Sequence, residues 1–179
     1  MSYGDIVLST SKSSFLSKCI RWFTKSQFSH SFITMPNTLG IPMCIEAAAG
    51  GVDACRFDSN YTNNPDEKME IWTINIPQEM KDAAIKQLLD ELEISYGYLS
   101  YPWFMWRKLN KLFGKDIKGQ NNWSDNGMIC SQLCVAYLKF CGLQEILKQY
   151  GNGSISPQDL QDILKAHPEL FVLSSSVRM

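Results

Sequence analysis

Apolar and polar positions alternate in short runs over the first part of the chain and recur at helical spacing over the second. "DIVLS" has the length and composition of a strand, and "SSFLSKCIRWF" follows with apolar residues three and four apart behind a pair of serines, the mark of a helix start. "SHSFITM", "MCIEAA", "GGVDACRF" and "MEIWTINI" then read as strands separated by turns containing Pro, Asn or Gly. Pro77 opens the helix "PQEMKDAAIKQLLDELE", in which Met80, Ala84, Leu88 and Leu92 share the expected buried face and the charges lie opposite. "YPWFMWRKLNKLF" reads as a further helix, and "NGMICSQLCVAYLKFCG", from Asn126 to Gly142, as another ended by Gly142. Ser156 caps a last helix, "SPQDLQDILKAH", with Pro157 at its first position. Strands gathered early and helices late predict an α+β fold, with neither repeat nor linker to divide it.

Composition narrows this picture. A chain of 179 residues, 45% hydrophobic, with nine Phe, seven Tyr and five Trp, suits one packed domain spanning 1–179. The formal net charge of -1 gives no electrostatic reason to expect nucleic acid as a partner. No apolar run is long enough to span a bilayer, and "MSYGDIVLST" lacks the basic start and apolar stretch of a signal peptide, so a cytoplasmic location is expected. In that reducing setting the six cysteines stay as thiols, and "NYT", "NWS" and "NGS" carry no weight as glycosylation sites. The only histidines are His30 and His167 and there is no Cys-x-x-Cys pair, so neither a metal nor another cofactor is expected.

Three cysteines nevertheless share the segment 126–142. Ile129, Leu133, Ala136 and Phe140 form one stripe of that helix, and Cys130, Cys134, Tyr137 and Cys141 form a second. A helix apolar on both stripes is largely buried, which makes Cys134 and Cys141 small core residues. Cys130 follows the turn-forming "SDNGMI" and so falls at the helix N-terminus, where unpaired amides and the dipole favour a thiolate.

A nucleophilic thiol needs a base. His167, in "KAHPEL" at the end of the last helix, reads as a surface residue or a partner of the helix C-terminus. His30, in "FSHSFI", begins a strand whose alternation turns His30, Phe32 and Thr34 to one face; it is a hydrogen-bonded core histidine or a catalytic one. An imidazole in the second role wants a polar group to fix its tautomer, and Glu46, alone among Cys44, Ile45, Ala47 and Ala48, is the candidate if it is not simply facing solvent.

The ordered set "GDIVLS", "SHSFI", "CIEAAAGGV", "SYGYLSYPW", "ICSQLCVAYL" and "SPQDL" resembles the circularly permuted papain-like cysteine peptidases and amidases, the YiiX-like branch of the NlpC-type superfamily. The resemblance runs along nearly the whole chain, with the His strand ahead of the Cys helix as in the permuted members. It implies a small antiparallel sheet or barrel packed against helices, with the nucleophile at a helix N-terminus. It also implies Cys130 as nucleophile, His30 as general base, Glu46 as the group orienting the imidazole, and Tyr96 as an oxyanion donor, with Tyr98 the weaker match. Two positions depart from the family pattern: Gln132 replaces an acidic residue two places after the nucleophile, and Gly97 replaces an Asp after the tyrosine.

The expected reaction is acyl transfer to water through a Cys130 thioester, on an amide or peptide bond such as those of cell-wall peptides. The alternatives are a thiol acyltransferase or esterase acting on lipid esters, and a non-enzymatic interaction domain on the same fold. Within 101–118, Trp103, Phe104 and Trp106 precede Arg107, Lys108, Lys111, Lys115 and Lys118, a mixture suited either to peripheral contact with an anionic membrane or to a core helix with a solvated basic face.

Overall fold

The computed structural model describes residues 3–11, 15–38, 40–48, 50–57, 61, 67–90, 92, 94, 128–150 and 155–178. Tyr96, Gly97, Tyr98 and the aromatic and basic segment 101–118 lie outside the described residues.

Among the described residues six strands and five α-helices follow one another: β1 (Ile6–Ser11), α1 (Phe15–Thr24), β2 (His30–Thr38), β3 (Ile41–Ala48), β4 (Gly51–Arg56), β5 (Glu67–Ile74), α2 (Gln78–Leu89), α3 (Cys130–Phe140), α4 (Gln144–Leu147), α5 (Pro157–Ala166) and β6 (Phe171–Arg178). The strands form one sheet in the order β4-β3-β2-β1-β5-β6, with every neighbouring pair antiparallel. This is the α+β class that the pattern predicts.

Alternation along the strands divides the sheet into two buried faces. Ile6, Leu8, Ile33, Ile45, Ala47, Trp72 and Ile74 point to one side and pack with Leu133, Cys134, Tyr137 and Leu138 of α3 and with Leu160 and Ile163 of α5. Val7, Phe32, Cys44, Met69 and Ile71 point to the other side, where Phe57 and Tyr61 cover them. The helix α3 lies across β2 and β3. It is held near its two ends, where the Ser131 hydroxyl donates to the Ile155 carbonyl at 2.7 Å and the Tyr137 hydroxyl donates to the Gly4 carbonyl at 3.0 Å. Gly142, at φ +77°, ends it in the left-handed conformation that glycine accepts without strain. Ser156 caps α5 as expected, accepting from the Asp159 amide while Asp159 returns the bond.

Two elements differ from the pattern reading. The helix α2 stops at Leu89, and its buried residues are Lys81, Ala84, Ile85 and Leu88, whereas Met80 is 40% exposed. The buried face is thus turned by about one position, and Lys81 takes part in it because its methylene stem packs beside Gly4. Leu92 lies beyond the helix and still packs against the core. The final strand β6 was not expected: its run "FVLSSSVR" carries three serines and leaves Val172 and Leu173 exposed, and its place is set by pairing with β5.

Candidate active site

The sheet brings three of the four expected site residues together. The β2–β3 ladder begins at Phe32↔Glu46, so His30, two residues earlier on the same face, is a diagonal neighbour of Glu46. On the other side Glu46 stands opposite Asp53, which makes Cys55 its second diagonal neighbour. Both reach the carboxylate. His30 Nε2 donates to Oε2 at 2.5 Å, and the Cys55 thiol donates to Oε1 at 3.1 Å. A third donor comes from outside the sheet: the Tyr61 hydroxyl also donates to Oε2. The Tyr61 ring lies 4.2 Å from the Phe32 ring and stacks on His30 at 6.2 Å, with 14° between the planes.

With Nε2 committed to Glu46, the other imidazole nitrogen is left for Cys130. Cys130 is the first residue of α3, and its sulfur lies near enough to His30 and to the backbone N–H of Ser31 for both to favour the thiolate. That amide is available because Ser31 lies one residue beyond the first β2–β3 pair. Among the described residues the buried Ser31 hydroxyl has no hydrogen-bond partner, and it lies near Cys130 and Cys134. Cys130 is 3% exposed, and the His30 side chain retains 21% of its surface.

The electrostatics follow from these contacts. Burial disfavours the Cys130 thiolate, but the hydrogen bond and charge of His30 and the Ser31 amide outweigh it, and the thiol is held below its ordinary value. Burial likewise pulls His30 down, yet Cys130 and Glu46 together hold it up at about 10. Glu46 is burdened by burial too, and its donors His30, Tyr61 and Cys55 bring it to about 2. One turn further along α3, Cys134 has no such cation and burial pushes it up to about 12; Cys141 is pushed by burial to about 11. The contrast along one helix separates one lowered thiol from two raised ones.

The start of α3 adds two features. Ile129, the residue before the helix, brings no side-chain acceptor to compete for the first-turn amides. Gln132 accepts from the Ile129 N–H at 2.9 Å, the reciprocal bond that an acidic residue makes at the same helix position, so the departure at Gln132 preserves the local geometry. His167 sits at the end of α5 and pairs with Glu169 at 3.2 Å, as a residue of the helix terminus.

Sequence reasoning passed over Tyr61, Cys55 and Ser31. The short turn between Ala48 and Gly51 fixes the β3–β4 register and places Cys55 beside Glu46, so that neighbour was within reach of a register argument. Tyr61, in the polar stretch "SNYTNNPDEK", gives no comparable signal.

Among the described residues no helix is long and apolar enough to cross a membrane. No family model matches the chain, and no curated protein matches it. Among solved structures, the crystal structure of metalloprotein YiiX from Escherichia coli O157:H7 matches over 98% of this chain and 97% of that one, with a TM-score of 0.66 at 18% sequence identity. At that identity the likeness is one of fold, and the chain has a YiiX-like fold of mixed helices and a six-stranded antiparallel sheet.

Proposed function

We propose that this chain is a cysteine hydrolase of the circularly permuted papain-like type, cleaving an amide or peptide bond through a thioester on Cys130. The observation that carries the reading is the grouping of Cys130, His30 and Glu46, with His30 bonded to Glu46, the sulfur at the start of α3 and its thiol lowered by His30. The Cys130 thiolate attacks the carbonyl carbon. The oxyanion that forms faces the α3 N-terminus, where the Cys130 amide serves as a donor. Protonated His30 then gives its proton to the leaving amine, and neutral His30 takes one from the water that hydrolyses the thioester. Glu46 is the positioning residue for the ring, and Tyr61 and Cys55 hold Glu46. Tyr96, as a further oxyanion donor, rests on family resemblance alone.

Metalloprotein is the description of the E. coli protein. Among the described residues here, no three His, Cys, Asp or Glu side chains are grouped to hold a metal ion.

The test is the rate at which iodoacetamide alkylates each cysteine across pH, read by peptide mass spectrometry in the wild type and in His30→Ala. Selective reaction of Cys130 near neutral pH, lost in the variant, supports the reading. A Cys130 no faster than Cys134 in both proteins overturns it in favour of an interaction domain on the same fold.

A further inference from the structure

Cys44 and Cys55 stand directly opposite each other on β3 and β4, on the sheet face that carries His30 and Glu46. Their sulfurs are 3.4 Å apart, and the Cys44 sulfur is also 3.7 Å from the Cys55 carbonyl. Cross-strand partners have Cα atoms about 4.5 or 5.5 Å apart, both within the span of about 4.4–6.8 Å that a disulfide bridges. The pair therefore needs side-chain rotation rather than movement of the strands. The two thiols differ in access: Cys44 is buried, whereas Cys55 is partly exposed on β4, which lies at the edge of the sheet.

Cys55 is also a donor to Glu46, so its oxidation state reaches the candidate site directly. We propose that Cys44 and Cys55 are a redox-active pair that closes into a cross-strand disulfide under peroxide and thereby withdraws one of the donors holding Glu46. In the first step a peroxide oxygen bonds to the Cys55 sulfur, the O–O bond breaks, and the thiol becomes a sulfenic acid with release of water. In the second the Cys44 sulfur attacks the Cys55 sulfur, the S–O bond breaks, and the hydroxide leaves with the Cys44 proton as a second water. Two thiols and one hydrogen peroxide thus give one disulfide and two waters, with two electrons passing from sulfur to oxygen. A disulfide sulfur has no hydrogen to donate, so Oε1 of Glu46 loses its Cys55 bond and the carboxylate is held less firmly against His30. The consequence for reactivity rests on the proposed function; formation of the disulfide does not.

The experiment uses the full-length Cys130→Ser protein, which retains both thiols and removes the competing reactive one. After hydrogen peroxide treatment and alkylation, peptide mass spectrometry is expected to find Cys44 crosslinked to Cys55 in most molecules, with the link reversed by dithiothreitol. Recovery of the two as separate alkylated or over-oxidised residues overturns the proposal. The wild-type chain is mapped in parallel, so a folding defect in the variant does not remove the test. In the same Cys130→Ser protein, NMR titration of His30 is expected to shift to lower pH on oxidation, and Cys44→Ala introduced alongside to abolish that shift. A titration unmoved by the crosslink overturns the link to Glu46. Because neither readout requires Cys130, failure of this proposal and failure of the catalytic reading are separately visible.

Discussion

Tyr61 and His30 share one acceptor: the phenol hydroxyl and the imidazole Nε2 both donate to Oε2 of Glu46, while the two rings stack 6.2 Å apart. A carboxylate oxygen has two lone-pair directions, and here both are filled by groups whose rings brace each other. Glu46 is consequently fixed by more than the His30 contact. Tyr61→Phe keeps the stacked ring and removes the hydroxyl, and its expected cost is about 1.5–3 kcal/mol, the usual worth of a hydrogen bond to a charged group. Urea denaturation at neutral pH measures it.

The same variant has a signed pH dependence. The folded value of Glu46, about 2, lies below that of an unfolded carboxylate, so its stabilisation is present above the ordinary carboxylate range and is lost as pH falls through about 2. Losing the Tyr61 donor raises the folded value, and acid unfolding of Tyr61→Phe is expected to begin at higher pH than in the wild type. Circular dichroism followed during acid titration checks this, and coincident curves would remove Tyr61 from the account of Glu46.

Glu46→Gln tests the imidazole from its other side. His30 is held at about 10, so the stability it contributes is fully present below the ordinary imidazole value and is lost as pH rises through about 10. An amide oxygen at position 46 still accepts the Nε2 hydrogen but carries no charge. The His30 titration is expected to move down toward about 6.5, the unperturbed value, and the Cys130 thiol to move up with it. NMR of the imidazole and the pH profile of Cys130 alkylation report the two shifts, and movement of only one would mean that the thiol and the ring are not coupled.

Much of this site is legible in the sequence. The alternation in "FSHSFI" and "MCIEAAAGG" puts His30 and Glu46 on strands, and the buried double stripe of 129–141 places Cys134 and Cys141 in the core, where both are fully buried. The meeting of His30 with Glu46 was expected from the family resemblance, because periodicity gives faces and not registers. Tyr61 could not be read: it lies fifteen residues beyond Glu46 in a polar stretch, and only the folded chain brings its hydroxyl to the carboxylate. Lys81 misled the reading of α2 because its type says exposed, whereas its stem lies against a glycine that leaves room for it. The strand β6 was missed because its three serines weaken the apolar signal and its apolar Val172 and Leu173 are exposed.

Gln132→Glu separates helix stability from thiol chemistry. The carboxylate keeps the acceptor for the Ile129 amide and adds negative charge in the first turn of α3, which is expected to stabilise the protein by about 0.3–1 kcal/mol. The same charge stands two residues from Cys130 and opposes a thiolate there. Thermal denaturation is expected to show a higher midpoint, while Cys130 alkylation sets in at higher pH than in the wild type. An unchanged alkylation profile would show that the α3 N-terminus contributes nothing to lowering this thiol.

Gly4 fixes where α3 meets β1, and its replacement tests that junction. Its φ is +78°, and a Cβ there would lie 2.7 Å from the Tyr137 hydroxyl oxygen and 2.9 Å from Lys81 Cδ. The left-handed backbone alone costs a residue with a side chain about 1–3 kcal/mol, and the flexible Lys81 stem can withdraw more easily than the buried Tyr137. Gly4→Ala is therefore expected to destabilise by more than the backbone cost, because the Tyr137 hydroxyl must leave the Gly4 carbonyl to which it donates. Tyr137→Phe removes both the crowding oxygen and that bond. In a double-mutant cycle, measured by urea denaturation, Gly4→Ala is expected to cost less in the Tyr137→Phe background than in the wild type. Strict additivity would mean that the crowding at Tyr137 is relieved without loss and that the strain lies in the Gly4 backbone.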